Sequence, residues 1–204
     1  MTSILLQDFV EELVLTPESE ERFLARVVNW QSYEYLLEKL GNDSGYRVSY
    51  LDGILEIVSP SRRHEVTAES IADLLQEYFK ATRTTYYPLG STTFRKKEQK
   101  SGKEPDKSYC IGTEKEFPDL AIEVVVTSGG VESLEIYQRL EVKEVWFWQD
   151  DQFSIYSLEG NGYKQVNQSN LFPDLDLSML AGYVLRENSL EAALEFRQRM
   201  EDIR

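Results

Sequence analysis

The segment Asp119-Leu-Ala-Ile-Glu-Val-Val-Val126 decides the fold, because it is typical of a β-strand with apolar side chains on both faces. Alternate residues of a strand point to opposite faces, so Glu123 shares a face with Ala121 and Val125. Burying an unpartnered carboxylate there is costly. Glu123 is therefore expected either to pair with a buried arginine or to take part in chemistry.

The composition predicts an ordinary globular protein of one domain. The chain has 204 residues, of which 41% are hydrophobic and 28% are charged. We expect a single domain over residues 1–204, with a core at about 25–185. Cys110 is the sole cysteine, which excludes an intrachain disulfide and a cysteine-based metal site. Without a basic leader or a long apolar run, we expect a cytoplasmic protein.

The net charge of −14 argues against a general nucleic-acid coat protein, but one stretch is basic. Residues 95–107 hold six basic and three acidic side chains, a net charge of +3. We call five of these residues the basic strip and predict that they contact DNA phosphates: Arg95, Lys96, Lys97, Lys100 and Lys103. The alternative is a solvated loop or hairpin tip.

Periodicity and turn residues predict an α/β (α+β mixed) chain with one mixed central sheet flanked by helices. A hairpin is expected over residues 46–58 around Asp52-Gly53. The other strands are expected at 85–87, 91–94, 108–111, 119–126, 142–148 and 153–157. The first helix is expected to end at Leu40, with Asn29 or Ser32 as its cap, and the second runs from the cap Ser61 to Thr82 with Val66 in its apolar stripe. Further helices are expected at about 131–140 and after Asn188.

Elimination leaves carboxylates as the candidates for a catalytic site. The chain has no glycine-rich phosphate loop, one histidine and one cysteine, which disfavours nucleotide, serine-hydrolase and zinc chemistry. Oxygen ligands favour Mg²⁺ or Mn²⁺. If the strands that hold Asp106 and Glu123 are neighbours, both carboxylates can converge on one cation. The alternative is that Asp106 is only a turn residue.

An ordered set of motifs makes a family resemblance specific. The motifs are Asp-Gly-Ile-Leu-Glu-Ile-Val-Ser-Pro (52–60), Glu-Pro-Asp (104–106), Pro-Asp-Leu-Ala-Ile-Glu-Val (118–124), Thr-Ser-Gly-Gly (127–130) and Leu-Glu-Ile-Tyr to Trp-Phe-Trp (134–148). Together they resemble the Uma-type putative restriction endonuclease family of bacteria, in the PD-(D/E)XK nuclease superfamily. The resemblance covers about residues 25–185 and implies a restriction-endonuclease-like fold.

The resemblance also implies the roles of the site residues. It makes Asp106 and Glu123 ligands of a divalent metal, Mg²⁺ or Mn²⁺. The lysine that the superfamily expects falls in this family on the following helix, four residues before Tyr137, where this chain has Ser133. Serine can hydrogen-bond a water but carries no charge, so the catalytic set Asp106, Glu123 and Ser133 implies reduced activity.

Three further side chains are accessory candidates. The resemblance places His64 near the site, although a packing or capping histidine is an equal alternative. Glu69, or Glu65 on the same helix, matches a first-helix glutamate of the superfamily, with a solvated acidic face as the alternative. Glu56 matches a family position without an implied role.

Three functions remain open from the sequence. The first is a metal-dependent endonuclease acting on DNA, impaired to the extent that Ser133 fails to replace a lysine. The second is a catalytically inactive nuclease-fold protein that binds nucleic acid or a protein partner. The third is a structural module. A homodimer is expected only by analogy with superfamily nucleases.

Overall fold

The computed structural model describes residues 20–41, 45–126 and 132–202, which hold five α-helices and eleven β-strands in two sheets. The helices are α1 (Trp30–Leu40), α2 (Arg62–Thr82), α3 (Ser133–Leu140), α4 (Leu177–Val184) and α5 (Ser189–Asp202). The strands are β1 (Glu21–Ala25), β2 (Arg47–Leu51), β3 (Ile54–Ser59), β4 (Tyr86–Pro88), β5 (Phe94–Lys96), β6 (Ser101–Lys103), β7 (Lys107–Ile111), β8 (Leu120–Val124), β9 (Glu144–Gln149), β10 (Gln152–Glu159) and β11 (Gly162–Val166). This is the predicted mixture of helices and strands, an α+β fold.

The first sheet is antiparallel, in the order β1-β3-β2-β6-β5. Its centre is the predicted hairpin of β2 and β3, which the structure confirms. Asp52 and Gly53 form the connection with φ values of 46° and 89°. Two positive φ values suit the tight turn whose twist matches that of the flanking strands. Helix α1 packs on this sheet through Tyr33, which is fully buried.

The second sheet has the order β11-β10-β9-β8-β7-β4, with β8 and β9 parallel and the other pairs antiparallel. All five residues of β8 are buried, as predicted for a strand covered on both faces. Helices α2, α4 and α5 pack on one another around one core, and α2 contacts β8. On the other side of β8, the buried face of α3 covers Ala121.

The prediction of a single mixed sheet is wrong in one respect, since the strands divide between two sheets. The chain passes from β6 in the first sheet to β7 in the second through Glu104-Pro105-Asp106. Proline has no N–H group for a sheet ladder, which favours a break at this point. The division places Asp106 at the crossing between the sheets.

Other local predictions had mixed outcomes. Asn29 caps α1, Ser61 caps α2 and Asn188 accepts a hydrogen bond at the start of α5, as expected. Val66 was expected in the apolar stripe of α2, but 56% of its surface is exposed. It lies on the solvent face with Glu69 and Asp73, three and seven residues further along the helix.

Some predictions fall outside the described residues or are not tested. The strands β1, β6 and β11 were not predicted. The Thr127–Gly130 motif, the first residue of the predicted 131–140 helix and most of the N-terminal segment lie outside the described ranges. Within those ranges, no helix combines the length and apolar character needed to cross a membrane. The single domain over 1–204 stays a prediction.

Candidate active site

A cleft of about 420 Å³ is lined by residues of both sheets and of the helices α2 and α3. Six charged or titratable side chains in its lining matter for chemistry: Arg47, His64, Lys103, Glu104, Asp106 and Glu123. Residues from four separate stretches of sequence thus meet in one place. The cleft is the candidate active site.

Asp106 directly precedes the strand β7, which neighbours the strand β8 that holds Glu123, and this is the arrangement that their convergence requires. In the antiparallel pair of β7 and β8, Lys107 is opposite Ile122, so the residues just beyond this pair are Asp106 and Glu123. Asp106 is buried, and its Oδ2 atom accepts a hydrogen bond of 2.7 Å from the backbone N–H of Val124. This bond ties the Asp106 carboxylate to the strand that carries Glu123.

Glu123 is buried between a tyrosine and a lysine. The hydroxyl of Tyr137, on α3, donates a hydrogen bond to Oε1 of Glu123, and Lys103 Nζ lies 3.3 Å from the same oxygen. Burial raises the pKa of Glu123, against the opposing effect of Lys103, and the nearby charge of Asp106 adds to the rise. Among the described residues, Oε2 of Glu123 has no hydrogen-bond or ion-pair partner.

Lys103 was predicted to contact DNA phosphates as a member of the basic strip, but it is buried in the cleft and not exposed on the surface. Only 8% of its surface is exposed, and Nζ donates a hydrogen bond of 3.2 Å to Ser49 Oγ in addition to its contact with Glu123. One of the two hypotheses for Glu123 was that it pairs with a buried arginine. The partner is a lysine from the other sheet, and pairing between sheets leaves no local sequence signal.

The remaining members of the basic strip do not form one face. Arg95, Lys97 and Lys100 are exposed, whereas Lys96 Nζ lies 3.3 Å from Glu141 Oε1. Arg95 and Lys96 are consecutive in β5, so they point to opposite sides of the strand. Three exposed cations remain near the hairpin tip.

His64 adjoins Asp106 from the first turn of α2. Its Nε2 atom lies 3.1 Å from Asp106 Oδ2, and only 4% of its surface is exposed. Burial alone would lower the pKa of His64, but the hydrogen bond to Asp106 and the charge of Asp106 outweigh it and raise the pKa. The imidazole is thus in a position to hold the Asp106 carboxylate in place.

Arg47 and Glu104 are site residues that sequence reasoning missed. The Arg47 guanidinium contacts three carboxylates, at 3.2 Å from Glu104, 3.1 Å from Glu65 and 3.7 Å from Asp106. Burial raises the pKa of Glu104 to about 7, against the opposing charge of Arg47. Glu104 could have been found from its place in Glu-Pro-Asp, whereas nothing local distinguishes Arg47 within its strand.

The other predicted residues separate into two groups. Ser133, at the start of α3, and Glu56, on β3, both line the cleft. Glu56 Oε1 lies 3.4 Å from Arg22 Nε. Glu69 does not line the cleft, because its side chain is exposed on α2 and accepts a hydrogen bond of 2.6 Å from Lys107 Nζ. Glu65 does not line the cleft either, but it forms an ion pair with Arg47, which does.

The donor set fits a cation that needs few protein ligands. Within residues 20–41, 45–126 and 132–202, no group of three or more histidine, cysteine, aspartate or glutamate side chains is arranged to hold a metal ion. Mg²⁺ commonly uses one or two carboxylates and fills its other positions with water and substrate phosphate. Asp106 and Glu123, with Glu123 Oε2 unpartnered among the described residues, satisfy that smaller requirement.

Comparison with known proteins identifies the family. No curated protein matches the chain. Residues 30–187, well over half of the chain, match the profile of the Uma2 family, described as "Putative restriction endonuclease". The match confirms the resemblance drawn from the motifs and supports a nuclease-like function in general. The chain therefore belongs to the Uma2 family.

Proposed function

We propose that this chain is a metal-dependent endonuclease that hydrolyses phosphodiester bonds in DNA. The observation that carries the proposal is that Asp106, just before β7, and Glu123, on the neighbouring strand β8, line the same cleft between the sheets. Restriction-endonuclease-like proteins generally use divalent metals, and the family assignment supports that class of function.

In this proposal Asp106 and Glu123 hold a Mg²⁺ or Mn²⁺ ion. A bound divalent cation neutralises phosphodiester charge and lowers the pKa of an attacking water. The water oxygen bonds to phosphorus, one P–O ester bond breaks, and the leaving oxygen ends protonated, so one water is consumed per bond. Both carboxylates must be ionised to serve, and because burial raises the pKa of Glu123, a bound cation would add to the effect of Lys103 in favouring its charged form.

Other residues support the two carboxylates. His64 and the Val124 N–H group fix one oxygen of Asp106, and within the described part of the chain Oδ1 has a single contact, the Arg47 Nε atom at 3.7 Å. Ser133 can hydrogen-bond a water at the edge of the cleft. Arg95, Lys97 and Lys100 are exposed cations that can contact DNA phosphates.

The test is cleavage of supercoiled plasmid and of a short DNA duplex in Mg²⁺ and in Mn²⁺. The variants are Asp106→Asn and Glu123→Gln, with Glu159→Gln as a matched surface control that is purified identically. We expect the wild type and the control to cut, and both site variants to lose at least about 10²-fold in rate. Cleavage that survives both site substitutions would assign the activity to a contaminant or to another site.

A second function is favoured by one specific contact. Lys103 already balances the charge of Glu123, and Ser133 brings no positive charge, so the cleft can also be stable without a metal. This arrangement suits a catalytically inactive nuclease-fold protein that binds nucleic acid or a protein partner. Anisotropy with labelled duplex separates the two: binding without cleavage in either metal supports the inactive protein.

A further inference from the structure

We infer that Lys103 supplies the active-site positive charge that the helix α3 lacks at Ser133, an inference that rests on the proposed nuclease function. The two residues belong to different elements, β6 and α3, but both line the same cleft. The helix α3 also packs against β6. A cation can therefore reach the site from either element.

The contacts of Lys103 differ from those of an ordinary surface lysine. Its side chain is 10% exposed, and its ammonium group contacts Ser49 Oγ at 3.2 Å and Glu123 Oε1 at 3.3 Å. Ser49 lies directly opposite Lys103 in the pairing of β2 and β6. The strand pairing therefore sets the direction in which the lysine extends, towards the second sheet.

The ammonium group retains capacity for a substrate. Lysine has three N–H donors, and among the described residues Lys103 has two acceptors, Ser49 and Glu123. The third donor is available to a water or to a phosphate oxygen in the cleft. Glu123 also receives the Tyr137 hydroxyl, so it keeps one neutral donor when the ammonium turns towards a substrate.

A fixed ammonium beside the metal-binding carboxylate suits the charge that develops on the phosphate. During hydrolysis the non-bridging oxygens gain negative charge, and a positioned cation lowers the energy of that state relative to the ground state. A purely structural ion pair is a costly way to fill a buried position, because replacing such pairs by apolar residues is often neutral or stabilising. That cost favours a functional reason for Lys103.

The test is a relocation experiment with Lys103→Met, Lys103→Gln, Ser133→Lys and the double variant Lys103→Met/Ser133→Lys. Lys164→Met is the matched control, because Lys164 also pairs with a glutamate, at 2.6 Å, but is exposed outside the cleft. Single-turnover cleavage rates are measured in Mn²⁺, with Mn²⁺ affinity by calorimetry and urea unfolding for each variant.

We expect each Lys103 single variant to cut about 10²–10³-fold more slowly, with unchanged or tighter Mn²⁺ binding because a competing cation is gone. The double variant should recover at least about tenfold. Recovery is partial, because a cation at a helix N-terminus opposes the helix dipole. A merely structural lysine would not be replaced by one on another element.

The failures of the two proposals are distinguishable. Cleavage by folded Lys103→Met or Lys103→Gln within threefold of the wild type overturns the role of Lys103 alone. Cleavage by Ser133→Lys when the wild type is inactive also overturns it, because Lys103 would then be insufficient. If no variant cuts in either metal, the nuclease function fails and the inference fails with it.

Discussion

Two buried glutamates on neighbouring strands of the second sheet have opposite surroundings. Glu144, the first residue of β9, is 1% exposed and accepts hydrogen bonds from the Trp146 indole, the Ser169 hydroxyl and the backbone N–H groups of Asn170 and Leu171. Both of its oxygens are fully used. Glu123, on β8, shares one oxygen between Tyr137 and Lys103 and leaves the other unpartnered among the described residues.

This is the difference that we expect between a structural carboxylate and one that binds a metal ion. Three of the four donors to Glu144 belong to residues 169–171 and fix that segment against the sheet, and the burial of Glu144 leaves a ligand no access to it. The raised pKa of Glu123 records a buried charge whose stabilisation is incomplete. A bound cation stabilises a carboxylate most when the protein itself stabilises the negative charge only in part.

The largest expected effect is on stability, and it concerns Glu144. Glu144→Gln replaces one acceptor oxygen by an amide that faces N–H donors, so we expect a loss of about 3–5 kcal/mol in the free energy of unfolding. Glu123→Gln should cost less, because losing a charge that burial destabilises offsets part of the cost of leaving the Lys103 ammonium without its anionic partner. Urea unfolding measures both, and equal losses would erase the contrast between the two glutamates.

The next effect is a pH dependence of stability that comes from the cleft in which Glu123 lies. The pKa of Glu104, in the cleft, is raised from an ordinary 4.5 to about 7, so the folded protein binds more protons than the unfolded chain between these values. Its contribution to stability is present below about pH 4.5 and is lost as pH rises towards 7. In metal-free buffer, the free energy of unfolding of Glu104→Gln should therefore fall by about 2–3 kcal/mol less than that of the wild type as pH rises.

The control for this pH effect is Glu98→Gln, at an exposed position of the short 3₁₀ helix Lys97–Gln99. Unfolding at pH 5 and pH 8 is compared for the wild type and both variants. A wild-type decline that persists unchanged in Glu104→Gln would show that this carboxyl is not the source.

A smaller effect tests whether the cleft carboxylates are oriented by their neighbours, as Glu144 is by its donors. His64→Leu removes the imidazole that lies 3.1 Å from Asp106 Oδ2. Loss of such a supporting hydrogen bond usually lowers metal affinity by about 10–100-fold. Mn²⁺ titration calorimetry should show this loss in His64→Leu and a smaller one in His64→Gln. Unchanged affinity would leave His64 as a packing residue.

The smallest effect concerns the exposed cations, which the tertiary structure separates from Lys103. The double variant Lys97→Ala/Lys100→Ala should weaken duplex binding by severalfold and reduce the slope of log affinity against log salt by about 1–2. Lys164→Ala is the control on another surface. Duplex affinity that is insensitive to the double substitution would remove the basic strip from the DNA-binding surface.

Local sequence signals predicted those parts of the fold that depend on neighbouring residues. The Asp52-Gly53 turn, the Asn29 and Ser61 caps and the doubly covered strand β8 each follow from side chains within a few positions. Short strands without such signals were missed. The strand β6, Ser101-Gly-Lys103, is three residues long and includes a glycine, so neither periodicity nor propensity indicates it.

The sequence by itself determined the family, the two carboxylates and the strand that buries Glu123, because ordered motifs and apolar runs are local properties of the chain. Only the tertiary structure decided which cation accompanies them. Lys103 is 20 residues from Glu123 and in another sheet, and the break at Pro105 allows the chain to bring both to one cleft. Contacts between sheets depend on strand order and register, which no local pattern encodes.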